Sequence, residues 1–308
     1  MDGGVRRVRE ASHSLLCLAL VWTCTGCGVG SNTPTAGPAD NPTVASTAAP
    51  TVQRTPTVVQ IPTDTATPAP YGHELLGESW EGRPIVGHRF GMGPRKVVLV
   101  GNIHGGTEKN THQLALEMIA YFEENLDEVP PEVTLWIIPT ANPDGLANGT
   151  RGNGRLVDLN RNADTDGDAC PENDWVKDTY TTEGINEGGG GPEPFSEVEA
   201  QLLRDFAEDA EVAIFYHSMA GMIFVTSCAD HVASERLARR LSEATGYPFA
   251  AEGWVSYPVT GAIVDYLAQQ GVAAAEVELE TKVDSDFDRN LAGVRAVLQS
   301  LDYITSSP

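Results

Sequence analysis

Basic residues are scarce in this sequence of 308 residues, which has 20 Lys and Arg against 43 Asp and Glu and a formal net charge of −23. Binding to nucleic acid requires clustered Lys and Arg, so the deficit argues against a nucleic-acid partner. Long apolar runs are lacking as well. The run from Leu15 to Trp22 is too short for a permanent membrane span, which takes about 20 apolar residues. No internal repeat is visible.

The N-terminus has the composition of an export signal. Three arginines within the first ten residues precede the short apolar run, which predicts a signal peptide over residues 1–27. Small residues before Cys27 resemble a bacterial lipobox, although Cys24 stands where Leu is usual. We therefore expect an exported lipoprotein that contacts the membrane only through a lipid on Cys27. The alternative is an ordinary cleaved signal and a secreted protein.

Charged and aromatic residues are almost absent from residues 28–70, which consist mainly of Thr, Pro, Ala and Val. Such a segment cannot bury enough apolar surface to offset the entropy of ordering it, so we expect a disordered tether. Residues 71–308 remain, which is enough for one domain with a single core.

Cysteine is also infrequent, with five residues in the chain. Cys17, Cys24 and Cys27 lie in the predicted signal, which leaves Cys170 and Cys228 as an even pair in an oxidising compartment. A disulfide between these two and a pair of unpaired thiols are both open, because sequence alone does not place their Cα atoms.

Apolar runs alternate with helical periodicity in the predicted domain. The near-continuous apolar run at 97–103 predicts a strand buried on both faces, and residues 111–125 have the periodicity of a helix. Further strands are predicted at 133–139, 212–216, 222–226 and 273–279, and further helices at 196–208, 234–245, 261–269 and 287–301. Ser196 and Glu199 have the spacing of a capping box. The alternation predicts a three-layer α/β/α fold with a mixed, largely parallel central sheet.

Two histidines and a glutamate follow the predicted strands. His104 comes just after the strand at 97–103, Glu108 lies where the next helix should begin, and His217 follows the strand at 212–216. Ligand sites in such folds lie beyond the carboxyl ends of strands. Two His and one Glu would leave a fourth position of a zinc ion open for water, as a catalytic site requires. Either histidine alone would be an ordinary imidazole, but their joint placement predicts one zinc ion per chain.

Eight short motifs occur in a fixed order between about residues 76 and 301. They are Gly77-Glu-Ser-Trp-Glu-Gly-Arg-Pro-Ile, Ile103-His-Gly-Gly-Thr-Glu, Asn142-Pro-Asp-Gly, Arg151-Gly-Asn-Gly-Arg-Leu-Val-Asp-Leu-Asn-Arg-Asn, Gly191-Pro-Glu-Pro-Phe-Ser-Glu, Tyr216-His-Ser, Tyr257-Pro-Val-Thr-Gly-Ala-Ile-Val-Asp-Tyr and Glu276-Val-Glu-Leu-Glu. The ordered set resembles the zinc metallocarboxypeptidase family, with its carboxypeptidase A-like fold. The resemblance implies an exported bacterial zinc peptidase.

The resemblance implies that His104, Glu108 and His217 are the zinc ligands. In the best-known members the glutamate follows the first histidine by three residues, whereas here it follows by four. Thr107, at the three-residue position, is a poor ligand, so Glu108 is assigned with a turn that is one residue longer. Asp158 would accept a hydrogen bond from His104 and fix its tautomer.

The resemblance also implies a general base and an oxyanion group. Glu278 would take a proton from the attacking water and later protonate the leaving amine. Glu276 and Glu280 share its face of the strand, and Glu280 is the reserve assignment because strand register is easily misjudged. Arg151 would stabilise the oxyanion, with Arg155 as its competitor.

The resemblance further implies that four residues contact the substrate. Asn160 and Arg161 would hold a free terminal carboxylate, since a planar guanidinium binds a carboxylate with two hydrogen bonds. Tyr257, rather than the nearby Tyr247, would close over the scissile bond. Val264 would form an apolar floor for the departing side chain and favour neutral or apolar residues.

The predicted function is therefore zinc-dependent hydrolysis of C-terminal peptide bonds by a monomeric enzyme. One alternative is a related zinc amidohydrolase acting on N-acyl amino acids or peptidoglycan peptides with the same metal and base. Another is a non-catalytic peptide-binding domain, against which the presence of every expected catalytic residue type argues.

Overall fold

The computed structural model describes residues 69–167, 170–181, 184–225, 231–250 and 257–306. The predicted signal and almost all of the predicted tether lie outside these residues, as does Cys228. Cys170 is disulfide-bonded, and its pairing with Cys228 stays a prediction. Within the described ranges, no helix is long and apolar enough to cross a membrane.

The fold is built around a seven-stranded sheet. Its strands are β1 (Tyr71–Glu78), β2 (Pro84–Gly91), β3 (Arg95–Val100), β4 (Val133–Ile138), β7 (Val212–Ser218), β8 (Met222–Phe224) and β9 (Ala273–Leu279), in the order β1-β2-β4-β3-β7-β9-β8. Strands β4, β3, β7 and β9 are parallel, while β1, β2 and β8 pair antiparallel at the two edges. Strands β5 (Thr179–Thr181) and β6 (Gly184–Asn186) form a separate hairpin. The mixed, largely parallel sheet is confirmed.

Helices cover both faces of this sheet. They are α1 (Lys109–Glu124), α2 (Pro143–Asn148), α3 (Val198–Ala207), α4 (Val232–Thr245), α5 (Ile263–Gln269), α6 (Phe287–Leu298) and α7 (Leu301–Thr305). Side chains along β3 alternate between two cores, since Leu99 packs with α1, α4 and α6, whereas Val98 packs with α3 and α5. This alternation is the period of two expected of a strand. The three-layer α/β/α architecture is therefore confirmed.

The start of α3 differs from the prediction. The helix begins at Val198 after Glu197, and no side chain caps it, so the predicted capping box is wrong. Ser196 Oγ donates instead to Glu197 Oε1 at 2.8 Å, and Glu199 accepts hydrogen bonds from Trp80 N at 2.9 Å and Asn153 Nδ2 at 3.0 Å. Ser196 is thus bonded to its neighbour, and Glu199 joins the helix to the β1–β2 turn instead of taking part in a cap.

Two leucines in α1 test this packing with the same substitution. Leu114 is fully buried in the core, whereas Leu116, two residues on, is 42% exposed. Leu114→Ala should lower the free energy of unfolding by about 2–5 kcal/mol, because it removes buried methyl groups and leaves a cavity. Leu116→Ala should change it by about 0.5 kcal/mol or less. Equilibrium denaturation in urea measures both, and equal losses would contradict the orientation of α1.

Candidate active site

A tight turn after β3 brings two of the predicted ligands together. Gly105 has a φ of +46°, and a Cβ there would lie 2.4 Å from the Thr150 carbonyl oxygen, so only glycine fits. The Asn102 side chain donates to the carbonyl oxygens of Gly105 (2.6 Å) and Glu108 (3.2 Å). A 3₁₀ turn over Gly105–Glu108 then leads into α1. The extra residue between the two ligands is thus accommodated within a turn pinned at both ends.

His104, Glu108 and His217 converge at one buried point. His104 Nδ1 lies 2.8 Å from Glu108 Oε1 and 3.1 Å from His217 Nδ1, and the three residues are each 3% exposed or less. Their donor atoms all lie within 4.8 Å of one another. Two imidazole nitrogens and a carboxylate aimed at a common point are a donor set suited to zinc. The residues present therefore fit the metal that the sequence predicts.

The Glu108 carboxylate is held in its charged form. Burial alone would raise its pKa, but His104 and His217 outweigh that effect and hold the pKa well below its usual range. The Ser218 backbone N–H also donates to Glu108 Oε2 at 3.2 Å. Metal ligands must be deprotonated, so this environment prepares Glu108 to bind a cation.

Asp158 lies against the outer nitrogen of His104, as predicted. His104 Nε2 is 3.2 Å from Asp158 Oδ1, and it is also 2.8 Å from Arg151 Nη2. If Nδ1 held the metal, the ring proton would be on Nε2. That N–H would donate to Asp158, and Nε2 would have no lone pair to accept from Arg151. Asp158 itself is held ionised: burial would raise its pKa, but Arg151 and His104 hold it well below the usual range.

Arg151, rather than Arg155, lies at the metal cluster. Its Nε donates to Asp158 Oδ2 at 2.8 Å, and its Nη1 donates to Glu108 Oε1 at 3.3 Å. Desolvation would lower the pKa of Arg151, but these carboxylates hold it above its ordinary value, and Tyr257 is near enough to contribute. Arg155 instead pairs with the buried Glu197 at 3.2 Å. Arg151 therefore lies beside the cluster, and Arg155 does not.

The three glutamates of the β9 segment have different surroundings. Glu278 is in register with His217, and its buried Oε2 has no hydrogen-bond partner among the described residues. Burial is the main cause that raises its pKa to about 7. Glu280, which follows the strand, is 65% exposed and bound to Arg289 at 2.9 Å. Glu278 is therefore the better placed of the two candidates for a general base.

Asn160 and Arg161, the pair predicted to bind a carboxylate, are joined by a hydrogen bond. Arg161 Nη1 donates to the Asn160 carbonyl oxygen at 2.7 Å, while its buried Nε has no partner in the described part of the chain. Asn160 Nδ2 donates to Glu276 Oε1 at 2.7 Å. Glu276 is a site residue that the sequence analysis treats only as a candidate base. The one signal for it is its position two residues before Glu278 on the same face.

The structure also bears on the choice of tyrosine and on the predicted apolar floor at Val264. Tyr247 is fully buried and donates to Asp286 Oδ2 at 2.7 Å, so it is not the tyrosine that reaches the site. Val264 is 3% exposed and packs in the apolar cluster with Ile103 and Phe215. The predicted preference for apolar residues, which depended on Val264, therefore gains no support from its position.

Comparisons with known proteins agree with this site. Residues 72–288 match the family described as zinc carboxypeptidase. No curated protein shows a significant sequence match. The fold is similar to bovine thrombin-activatable fibrinolysis inhibitor in complex with a tick carboxypeptidase inhibitor (TM-score 0.62, 18% identity, 76% of this chain and 90% of that one). It is also similar to carboxypeptidase A from Helicoverpa armigera (TM-score 0.57, 18% identity, 75% and 69%). A third similar structure is murein-tripeptide amidase from Escherichia coli (TM-score 0.50, 19% identity, 79% and 95%).

The chain belongs to the zinc carboxypeptidase family. It is therefore a zinc peptidase with the α/β fold of the carboxypeptidases, and the predicted cofactor is confirmed. The individual roles of the site residues remain predictions that the geometry accommodates.

Metal content separates the two candidates for the middle ligand. Glu108→Ala should weaken zinc binding by more than about 100-fold, a larger effect than the 10–100-fold typical of residues behind the ligands. Thr107→Ala should keep the metal, because the Thr107 hydroxyl donates to the His104 carbonyl oxygen at 2.8 Å and does not face the cluster. Elemental analysis after dialysis against a chelator measures both. Zinc loss from the Thr107 variant alone would reverse the assignment.

Proposed function

We propose that this protein hydrolyses C-terminal peptide bonds. The observation that carries the proposal is the meeting of three kinds of group at one edge of the sheet: the His104, Glu108 and His217 cluster, the buried carboxylate of Glu278, and the guanidinium of Arg151. Zinc held by the three ligands would supply the Lewis acidity that the reaction needs. Export, a lipid on Cys27, a disordered tether and a monomeric state are retained as predictions from the sequence.

The catalytic step is divided between Glu278 and Arg151. Glu278 takes a proton from water as the water oxygen bonds to the scissile carbonyl carbon, and it gives that proton to the amine nitrogen as the C–N bond breaks. A base with a pKa of about 7 suits both transfers near neutral pH. Arg151 remains charged and faces the negative oxygen that develops on the carbonyl.

Substrate orientation is assigned to Asn160, Arg161 and Tyr257. Arg161 has a buried Nε without a partner among the described residues, which is the kind of donor that a bound carboxylate would satisfy. Asn160 lies beside it and its Nδ2 faces the site. A substrate with a free terminal carboxylate would therefore be held with its last peptide bond at the metal.

A related amidase activity is the second candidate. It would act on peptidoglycan peptides or N-acyl amino acids with the same metal and the same base, so it differs only in the substrate pocket. The similarity of the fold to murein-tripeptide amidase supports this candidate. Turnover of blocked dipeptides against peptidoglycan fragments separates the two.

Glu278 can be tested against a matched glutamate two residues away. Glu278→Gln should lower kcat on a blocked dipeptide by about 10²–10⁴-fold, the contribution typical of a general acid–base group, and should keep the zinc. Glu280→Gln should keep near-normal activity, since Glu280 is exposed and paired with Arg289. Full activity of Glu278→Gln with zinc present would refute both the base assignment and the proposed step. If the protein were only a peptide-binding domain, neither the unaltered protein nor any variant would show activity.

A substitution at Arg161 tests whether the enzyme recognises a terminal carboxylate. Arg161→Ala should reduce kcat/KM for a carboxylate-ended dipeptide by about 10–100-fold, because a charge-assisted hydrogen bond of about 1.5–3 kcal/mol is removed. The corresponding C-terminal amide should be a poor substrate of both proteins. Equal hydrolysis of acid and amide by the unaltered protein would contradict the exopeptidase proposal.

A further inference from the structure

The proposed substrate site contains one carboxylate, that of Glu276, to which the proposed mechanism gives no role. It lies on β9 two residues before Glu278, so both side chains leave the same face of the strand. Its side chain is 15% exposed and thus reaches the open part of the site. Its Oε1 accepts a hydrogen bond from Asn160 Nδ2 at 2.7 Å. The carboxylate therefore touches one of the two residues assigned to the substrate terminus.

No Lys or Arg of the described part of the chain pairs with the Glu276 carboxylate. The one ionisable nitrogen within 4 Å of its carboxylate there is His217 Nε2, at 3.7 Å. The buried Nε2 of His217 also has no hydrogen-bond partner among the described residues. The Glu276 carboxylate thus lies in the site without a Lys or Arg partner among the described residues.

On the other side of Asn160, the guanidinium of Arg161 is a positive group with an unsatisfied hydrogen-bond donor. Its buried Nε has no hydrogen-bond partner among the described residues, and Asp158 is the carboxylate whose pKa its charge helps to lower. The arginine side chain is anchored through the Asn160 carbonyl oxygen, and Glu276 is anchored through the Asn160 amide. Asn160 therefore joins a positive group and a negative group, each of which remains open to a ligand of opposite charge.

This pair would bind a lone carboxylate poorly. A substrate carboxylate held by Asn160 and Arg161 would lie close to Glu276, and like charges separated by a few Å repel strongly where water is partly excluded. A positive group on the same substrate residue would remove the repulsion and add an attraction. Val264 does not oppose such a group, because its side chain is buried in the apolar cluster instead of forming an apolar wall in the site.

We infer that Glu276 determines specificity by selecting substrates whose terminal residue carries a cationic nitrogen as well as a free carboxylate. The inference deepens the proposed function, since it names the substrate class of the same site, and it replaces the preference for neutral or apolar residues expected from Val264. Glu276 would bind the side-chain ammonium or guanidinium, while Asn160 and Arg161 hold the carboxylate.

The kinetic test uses Glu276→Gln, which keeps the shape and the oxygen acceptor for Asn160 but removes the charge. Substrates are blocked dipeptides in matched pairs: C-terminal ornithine against norvaline, and lysine against norleucine. The unaltered protein should prefer the cationic member of each pair, and the variant should reduce that ratio of kcat/KM by about 10–100-fold, as loss of a charge-assisted contact does. Glu280→Gln, which alters an exposed carboxylate outside the site, should leave the ratio unchanged.

A binding measurement keeps this inference separate from the proposed function. Calorimetry with L-lysine and L-norleucine, the free amino acids, requires no turnover. Tighter binding of lysine that is lost in Glu276→Gln supports the inference even if no dipeptide is cleaved, in which case the proposed function alone fails. Cleavage with no preference for cationic residues, or with equal preference in both proteins, overturns the inference and leaves the proposed function in place. If Glu276→Gln lost zinc and lost activity equally on cationic and neutral substrates, Glu276 would act by positioning His217. That result would also overturn the inference.

Discussion

The structure of the site depends on one constraint: the carboxylate of Glu108 is buried and must be balanced by positive charge. An unpaired carboxylate in that position would take up a proton instead of remaining ionised. His104 and His217 supply the balance, at 2.8 Å for the first and 3.5 Å for the second. Two histidines can serve as ligands only when they are deprotonated, so a divalent cation satisfies the cluster better than protons do. The neighbouring residues Asp158 and Arg151 are arranged around that cluster.

The sheet determines where this cluster can form. The carboxyl ends of the parallel strands β3, β7 and β9 meet at one edge, which is where ligand sites of such folds occur. His217 lies at the end of β7 and is in register with Glu278 on β9. The separation between the metal cluster and the predicted base therefore follows from strand pairing and not from a loop. Groups on paired strands keep their geometry better than groups on loops, which suits a reaction that needs a water and a carbonyl held together.

Sequence patterns predict the centre of this fold better than its edges. Strands β3, β4, β7 and β9 are apolar runs and are predicted, whereas β1 is mostly exposed or half-buried and has no apolar alternation to indicate it. The Ser196 and Glu199 spacing predicts a cap, but local spacing cannot show that Trp80 donates to Glu199 from 119 residues away. Strand parity likewise places Glu276 on the face of Glu278, yet its contact with Asn160 depends on packing between distant segments.

The acidic residues of the site have different pKa values because they have different neighbours. Those pKa values indicate different roles. Glu108 and Asp158 are buried even more deeply than Glu278, but histidines and Arg151 hold the pKa of each well below its usual range. Glu278 has no hydrogen bond on its buried oxygen among the described residues, and Glu108 and Glu276 add to the effect of burial, so its pKa rises to about 7. Carboxylates whose pKa values are driven apart in one site divide into permanent anions and a proton carrier. On that argument Glu108 and Asp158 would remain charged throughout the proposed reaction cycle, and Glu278 alone of the three would exchange a proton with water and substrate.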